Sequence, residues 1–276
     1  MNRINKCLFP VAGFGTRFLP VTKSTPKEML PILTKPIIQY GVEEAMSAGL
    51  TNMAMVTNKY KQSIKKYFEP HAYIESSIKD TAIKSLLDEV NYISRRCDFT
   101  YIEQKERLGL GHAIYTAKPL IGNESFAVIL PDDLCINNGN SVLAQMIELY
   151  NQHPDSCIVA IEEVPMSELH KYGVIDGELI ENSIDTYRVN SMFEKLDPKD
   201  APTNLAIIGR YILTPDIFNV LENTSPGKNG EIQITDALMI LAKQGKVIAY
   251  KFQGTRYDCG SVKGVIEATS HLYSNS

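Results

Sequence analysis

Short apolar runs alternate along this chain with longer stretches in which apolar positions recur at helical spacing. The runs 8–12, 53–57, 99–103, 126–130 and 158–161 predict strands buried on both faces. Between them Ile38, Val42, Ala45 and Met46 fall on one helical face, with Pro36 before and Gly49 after to start and stop the helix. Ile83, Leu86, Leu87 and Val90 predict a second helix, and Val142, Leu143, Met146 and Ile147 a third. A strand–helix alternation of this kind predicts an α/β fold with a mainly parallel sheet covered by helices on both faces. Beyond Val164 the pattern loosens. Strands are expected over 187–195 and 205–213 around a Pro/Asp-rich turn at 197–202. A helix carrying Ile234, Ala237, Leu238 and Leu241, a strand over 247–252 and a closing helix from Ser261 follow. Neither an internal repeat nor a long linker divides the chain. A single domain over residues 1–276 is expected.

Composition narrows what such a fold can serve. Of 276 residues 44% are hydrophobic and 22% charged, which is ordinary for a globular core. The net charge of −4 gives no reason to expect nucleic acid or an anionic membrane as partner, so any anion must be held by a local patch. No apolar run reaches the length of a membrane span, and the polar start of the chain lacks a signal-peptide core. Five scattered cysteines without a C-x-x-C pair, two of them (Cys7 and Cys157) inside strand-like runs, read as reduced thiols of a cytoplasmic protein.

The first strand leads into Val11-Ala12-Gly13-Phe14-Gly15-Thr16-Arg17, followed by Lys23, Lys27 and Glu28. Glycines at the carboxyl edge of a sheet let backbone N–H groups approach phosphate oxygens. A P-loop is excluded because no Lys-Ser/Thr follows the last glycine, and a dinucleotide fingerprint because Phe18 stands where its third glycine would be. What remains is an extended loop with three cations against one acid, a candidate polyphosphate site. The fourth strand ends in Pro131-Asp132-Asp133, and Tyr257-Asp258-Cys259-Gly260 places another acid between a strand and a helix. Two carboxylates with substrate phosphates are a common way to hold Mg²⁺, although each Asp read alone also suits a turn or helix cap. Glu194 and Lys195 leave a strand together and could meet sugar hydroxyls and a phosphate, or only solvent. Gln104 opens a segment ending Gly109-Leu110-Gly111-His112, and its amide could read a nucleobase edge. His112 reads as a packing or helix-end residue.

Taken together, these segments resemble the bacterial UTP–glucose-1-phosphate uridylyltransferases from about Lys6 to Ala268. The resemblance is carried by the opening loop 10–31 with Pro36-Ile37-Ile38-Gln39-Tyr40, by 109–113, by 204–213, and by 230–238 with Asp258-Cys259-Gly260. It implies a Rossmann-like three-layer α/β/α sandwich with an inserted sugar-binding region, the nucleotide-binding part at about 1–135 and the sugar-binding and oligomerisation elements at about 136–276, a homo-oligomer (dimer or tetramer), and UTP and glucose 1-phosphate as substrates. It further implies that Ala12, Gly13, Gln104 and Gly109 receive the uracil, that Gly15 and Thr16 belong to the nucleotide loop, and that Arg17 and Lys27 hold the triphosphate. Asp132 and Asp258 would bind Mg²⁺, Gly173 and Glu194 would contact glucose, and Lys195 its phosphate. Two departures stand out: Leu196 replaces a proline usual after Glu-Lys, and Leu108 replaces a lysine usual before Gly-Leu-Gly-His. The implied reaction is in-line attack of the sugar phosphate on the α-phosphorus of UTP. The nucleophile, with a second pKa near ~6, needs no general base. Alternatives are the same chemistry with dTTP or another sugar 1-phosphate, since one extra methyl is rejected by only ~1–3 kcal/mol, or a non-catalytic nucleotide-binding homologue.

Overall fold

The computed structural model describes residues 3–227 and 230–275. The first half runs β1 (Lys6–Pro10), β2 (Pro31–Ile32), β3 (Lys35–Pro36), α1 (Ile37–Ser47), β4 (Asn52–Thr57), α2 (Gln62–Phe68), α3 (Ala72–Ser77), α4 (Thr81–Arg96) and β5 (Asp98–Glu103). Then come α5 (Gly109–Thr116), α6 (Lys118–Ile121), β6 (Phe126–Ile129), β7 (Asp133–Ile136), α7 (Val142–Gln152) and β8 (Cys157–Glu163). The second half adds β9 (Gly173–Leu179), β10 (Thr186–Glu194), β11 (Leu205–Leu213), α8 (Asp216–Glu222), α9 (Ile234–Ala242), β12 (Val247–Lys251), β13 (Thr255–Asp258) and α10 (Val262–Ser274).

Nine strands form one continuous sheet in the order β5-β4-β1-β6-β11-β8-β12-β10-β9. Side chains of a strand point alternately to its two faces, and the core follows that rule. Cys7 and Phe9 of β1, with Ala127 and Ile129 of β6, pack under α1, α2, α4 and α7. Leu8, Phe126 and Val128 pack on the opposite side against α5, α8 and α9. Burial on both faces is why these strands read as unbroken apolar runs, and it makes a three-layer α/β/α sandwich.

Pairing is parallel from β5 to β6, then antiparallel at β11 and mixed beyond. Around β1 the chain order reverses, with β4 on one side and β6 on the other, which opens a crevice at the strands' carboxyl ends. A separate two-stranded ribbon, β7 with β13, and a short β2–β3 pair lie off the main sheet.

Three expectations need correction. The strand at 99–103 is the sheet's edge and only half-buried, because its aromatic run has a neighbour on one side alone. The helix at 81–96 forms, yet Ile83 and Leu86 of its apolar face are exposed, and Ile93 is the residue that enters the core. The opening loop is not extended but folded into three 3₁₀ turns at Thr16–Phe18, Val21–Lys23 and Lys27–Met29.

Candidate active site

The crevice at the end of β1 is a cavity of about 950 Å³. Arg17, Lys27, Lys195, Ala12, Gly13, Gly15, Thr16, Gln104, Gly109, Gly173, Glu194, Asp132 and Asp258 all line it. Lys23, counted with the loop's cations, does not: it is exposed outside the cavity.

The opening loop is held from behind. Asn58, buried just past β4, donates its amide to the Ala12 carbonyl at 2.7 Å. Gly15 takes a left-handed φ of 68°, and a Cβ there would meet the Lys27 Cβ at 2.8 Å, so only glycine lets the loop fold back onto Lys27. Among the described residues, none of the backbone N–H groups from Ala12 to Arg17 donates to a protein acceptor. A run of free N–H groups is an anion cradle. Arg17 donates to the Gly260 carbonyl at 3.2 Å, tying the loop to the other rim.

The single acid of this loop is not a counter-charge at the surface. Glu28 is 1% exposed and accepts from the buried Lys61 ammonium at 2.8 and 2.6 Å. Burial pushes the Glu28 carboxyl up and the Lys61 ammonium down, and in each case the partner's charge opposes the shift without cancelling it.

Asp132 follows β6 and Asp258 ends β13. The β7–β13 ribbon brings them together, because its register pairs Asp258 with Asp133. A Cβ built on Gly260 would stand 2.9 Å from Asp258 Oδ1 and 3.1 Å from Asp132 Oδ2, so both carboxylates reach one small region. Lys27 Nζ donates to Asp132 Oδ2 at 2.5 Å. Burial disfavours an ionised Asp132, but the Lys27 charge more than reverses this and holds the carboxyl below its usual range. Burial likewise works against the Lys27 ammonium, and Asp132 and Glu28 overcome it.

Beneath these groups lies a buried charge network that the sequence did not reveal. Arg210, 1% exposed, donates to both Glu44 oxygens and to the carbonyls of Leu130, Gly209 and Asp133. Arg256 joins Asp133 Oδ1 at 2.5 Å to Glu162 at 2.6 Å, its guanidinium 5.0 Å from the Tyr172 ring centroid. These bonds fix the turn that carries Asp132.

On the far wall, β9 and β10 pair Gly173 with Glu194. Thr235 donates to Glu194 Oε2 at 2.7 Å, and Lys195 Nζ lies 3.1 Å from Glu194 Oε1. Lys195 has a φ of 49°, an uncommon left-handed conformation for a residue with a side chain, and its N–H donates to the Tyr172 carbonyl at 3.0 Å. The near wall carries Gln104, whose amide nitrogen meets the Gly109 carbonyl at 3.3 Å and His112 Nδ1 at 2.9 Å. Gly109 sits at φ 92° where a Cβ would strike the Ile232 carbonyl at 2.9 Å. Its segment and 231–232 are joined by Ile232 N–H to Leu108 at 2.7 Å and Gly111 N–H to Ile232 at 2.9 Å. Arg107, Tyr172, Thr235 and Arg256 also line the cavity, Lys61 stands behind its loop on Glu28, and all five were missed in the sequence. Only Arg107 had a sequence signal, being a cation beside the Gly-Leu-Gly turn.

A run of free N–H groups, a pair of carboxylates and the Glu194–Lys195 pair line one crevice, an arrangement suited to phosphorylated molecules. Comparison with known proteins agrees. The model of the nucleotidyl transferase family matches residues 10–275. The UTP–glucose-1-phosphate uridylyltransferase of Pseudomonas aeruginosa is 57% identical over 273 residues, covering 99% of this chain and 97% of that one. Its counterpart in Staphylococcus epidermidis is 45% identical over 269 residues, covering 98% and 92%. A crystal structure of a UDP-glucose pyrophosphorylase complexed with UDP-glucose superposes with a TM-score of 0.92 at 54% identity, covering 99% of this chain and 100% of that one. The chain belongs to the nucleotidyl transferase family, within its branch of bacterial UTP–glucose-1-phosphate uridylyltransferases.

Proposed function

We propose that this chain transfers the uridylyl group of UTP to α-D-glucose 1-phosphate, giving UDP-glucose and pyrophosphate. One observation carries the reading: the carboxylates Asp132 and Asp258 stand in one cavity with the cations Arg17 and Lys27 and with the Gly173–Glu194–Lys195 wall.

Uracil presents an imide N–H between two carbonyls. Gln104 spends its amide nitrogen on Gly109 and His112, which leaves its oxygen to accept that N–H. The N–H groups of Ala12 and Gly13 suit a base carbonyl, Gly109 closes that end, and those of Gly15 and Thr16 suit the phosphates beside Arg17 and Lys27. Glu194, its position set by Thr235, accepts from glucose hydroxyls next to Gly173, and Lys195 holds the sugar's phosphate.

The family's chemistry involves a divalent cation, and the residues present fit one. Two carboxylates converge, and among the described residues no third His, Cys, Asp or Glu gathers with them. Such a pair suits Mg²⁺, which draws its other ligands from phosphates and water. We assign Mg²⁺ to Asp132 and Asp258; when bound, it screens the phosphate charge. The chain's own residues do the rest. Arg17 and Lys27 draw the triphosphate into the loop, Lys195 brings the second anion up to it, and the phosphate oxygen attacks in line while pyrophosphate leaves. Positioning and electrostatics supply the rate, and no proton transfer is required.

We further assign a single domain, with its nucleotide part in about residues 1–135. No helix of the described residues is long and apolar enough to cross a membrane; we place the protein in the cytoplasm. Val262, Ile266 and Tyr273 project from α10 as exposed apolar residues, which supports a homo-oligomer, dimer or tetramer.

The test is pyrophosphate release with Mg²⁺ across UTP or dTTP against glucose 1-phosphate or galactose 1-phosphate. UTP with glucose 1-phosphate should be preferred and EDTA should abolish release. Asp132→Ala and Lys195→Ala should each lose on the order of 10²–10³-fold in turnover, the range for removing one preorganised group. Near-normal turnover in either variant would refute the role given to that residue.

A further inference from the structure

The cations around the cavity are nearly all committed. Lys27 is paired with Asp132, Lys195 with Glu194 and Arg256 with Asp133, while Arg17 rests on the Gly260 carbonyl. Arg107 differs. It lies exposed on the cavity's rim, no carboxylate pairs with it among the described residues, and its guanidinium sits 3.8 Å from the centroid of the Phe14 ring. Phe14 is itself exposed, flanked by Gly13 and Gly15 at the tip of the opening loop, with a further ring contact to Tyr60 at 6.5 Å. The contact thus bridges two walls of the cavity, the loop after β1 and the segment before α5.

We propose that Arg107 is a specificity residue for the triphosphate, a contact, held at the loop tip by the Phe14 ring, to the β- and γ-phosphates of the nucleotide. The inference rests on the reading of this cavity as a UTP site and adds to it a residue for the leaving group. Two arguments lead there. The loop tip is where the free N–H groups from Ala12 to Arg17 gather, so a cation resting on Phe14 already lies beside the anion cradle. An exposed cation–π contact is also a weak tether, whereas a guanidinium engages phosphate oxygens with a charge-assisted fork. Phosphate oxygens of a triphosphate therefore compete with the ring for Arg107. UTP and pyrophosphate carry this β,γ group. In UDP-glucose the β-phosphate is already esterified to the sugar and faces the opposite wall.

The test uses that difference. The full chain and its Arg107→Ala and Arg107→Lys variants are titrated calorimetrically with UTP and with UDP-glucose in Mg²⁺, and KM for pyrophosphate is measured in the reverse reaction. Arg107→Ala should weaken UTP and raise KM for pyrophosphate on the order of tenfold, the loss of one charge-assisted contact. UDP-glucose affinity should stay unchanged, and Arg107→Lys, which keeps the charge but not the fork, should fall between. Equal weakening of UTP and UDP-glucose would overturn the proposal, because it would put Arg107 on the base, ribose or α-phosphate. No change in either ligand would overturn it as well. A wild-type chain that bound neither ligand would instead overturn the site reading, and the role of Arg107 with it.

Discussion

Replacing Lys61 by Met isolates the charge that props up the nucleotide loop. Met keeps most of the side chain's volume and apolar stem, so the perturbation is the loss of an ammonium from a pair whose members are 5% and 1% exposed. Glu28 is then left buried with Lys27 as its remaining cation, and Lys27 is already bonded to Asp132. Breaking one side of a buried pair usually costs about 3–5 kcal/mol. A second route limits the figure, because Glu28 can take up a proton. Holding a carboxyl whose ordinary pKa is 4.5 in its neutral form at pH 7 costs about 3.4 kcal/mol. The expected destabilisation is therefore about 3 kcal/mol, a large part of the ~5–15 kcal/mol typical of a whole domain.

The pH dependence separates this mechanism from lost packing. A group whose folded-state pKa is raised contributes stability below its unfolded pKa and loses it as pH rises through the folded value. The penalty in Lys61→Met should thus shrink on acidification, to about 1.4 kcal/mol at pH 5.5. Urea unfolding followed by far-UV circular dichroism at pH 7 and pH 5.5 measures both values, and Glu28→Gln in the same chain should recover most of the loss. A destabilisation below 1 kcal/mol at pH 7 would refute the reasoning. So would one equal at the two pH values.

Two further outcomes test the site's geometry and chemistry. Gly260→Ala sets a methyl 2.9 Å from Asp258 Oδ1, 3.1 Å from Asp132 Oδ2 and 3.2 Å from Arg17 Nη1. Turnover should drop on the order of 10²-fold, as for a displacement of about 1 Å in a reacting geometry, while Gly139→Ala, whose Cβ meets nothing within 4 Å, should leave turnover unchanged. The acid limb of kcat/KM for glucose 1-phosphate should follow the phosphate's second pKa near ~6, with the rate falling below it as the dianion gains a proton. Asp132, held below the usual carboxylate range by Lys27, should add no step there.

The sequence revealed what is local. Strands buried on both faces stand out as apolar runs, and the glycines and cations of the first loop are contiguous, so β1 and the position of the loop after it could be read directly, though not that loop's 3₁₀ turns. Asp132 and Asp258 were legible as acids at element ends, but not as neighbours. Their meeting depends on the four-residue β7–β13 ribbon, too short to give a periodic signal. Charge pairing was hidden for a related reason. Glu28 was set against the cations nearest in sequence, whereas the fold gives it Lys61, 33 residues on, and sends Lys23 outside the cavity. Arg210 and Arg256 likewise find carboxylates 166 and 123 residues away, and nothing in their local sequence marks them as buried.

These distant pairs also show how the cavity holds cations and carboxylates together. His112, a ring within reach of the near wall, lies 2.9 Å through Nδ1 from the Gln104 amide nitrogen and so is engaged with that amide. Lys27 and Lys195 rest on Asp132 and Glu194, so much of the site's positive charge is balanced internally. Substrates that arrive as polyanions would compete with the carboxylates for these cations, and on the proposed assignment a divalent cation would take up Asp132 once Lys27 turns to phosphate. On the proposed assignment, this balance favours ligands that carry several negative charges. The buried Arg210–Glu44 and Arg256–Asp133 pairs keep the acids in register while their partners change.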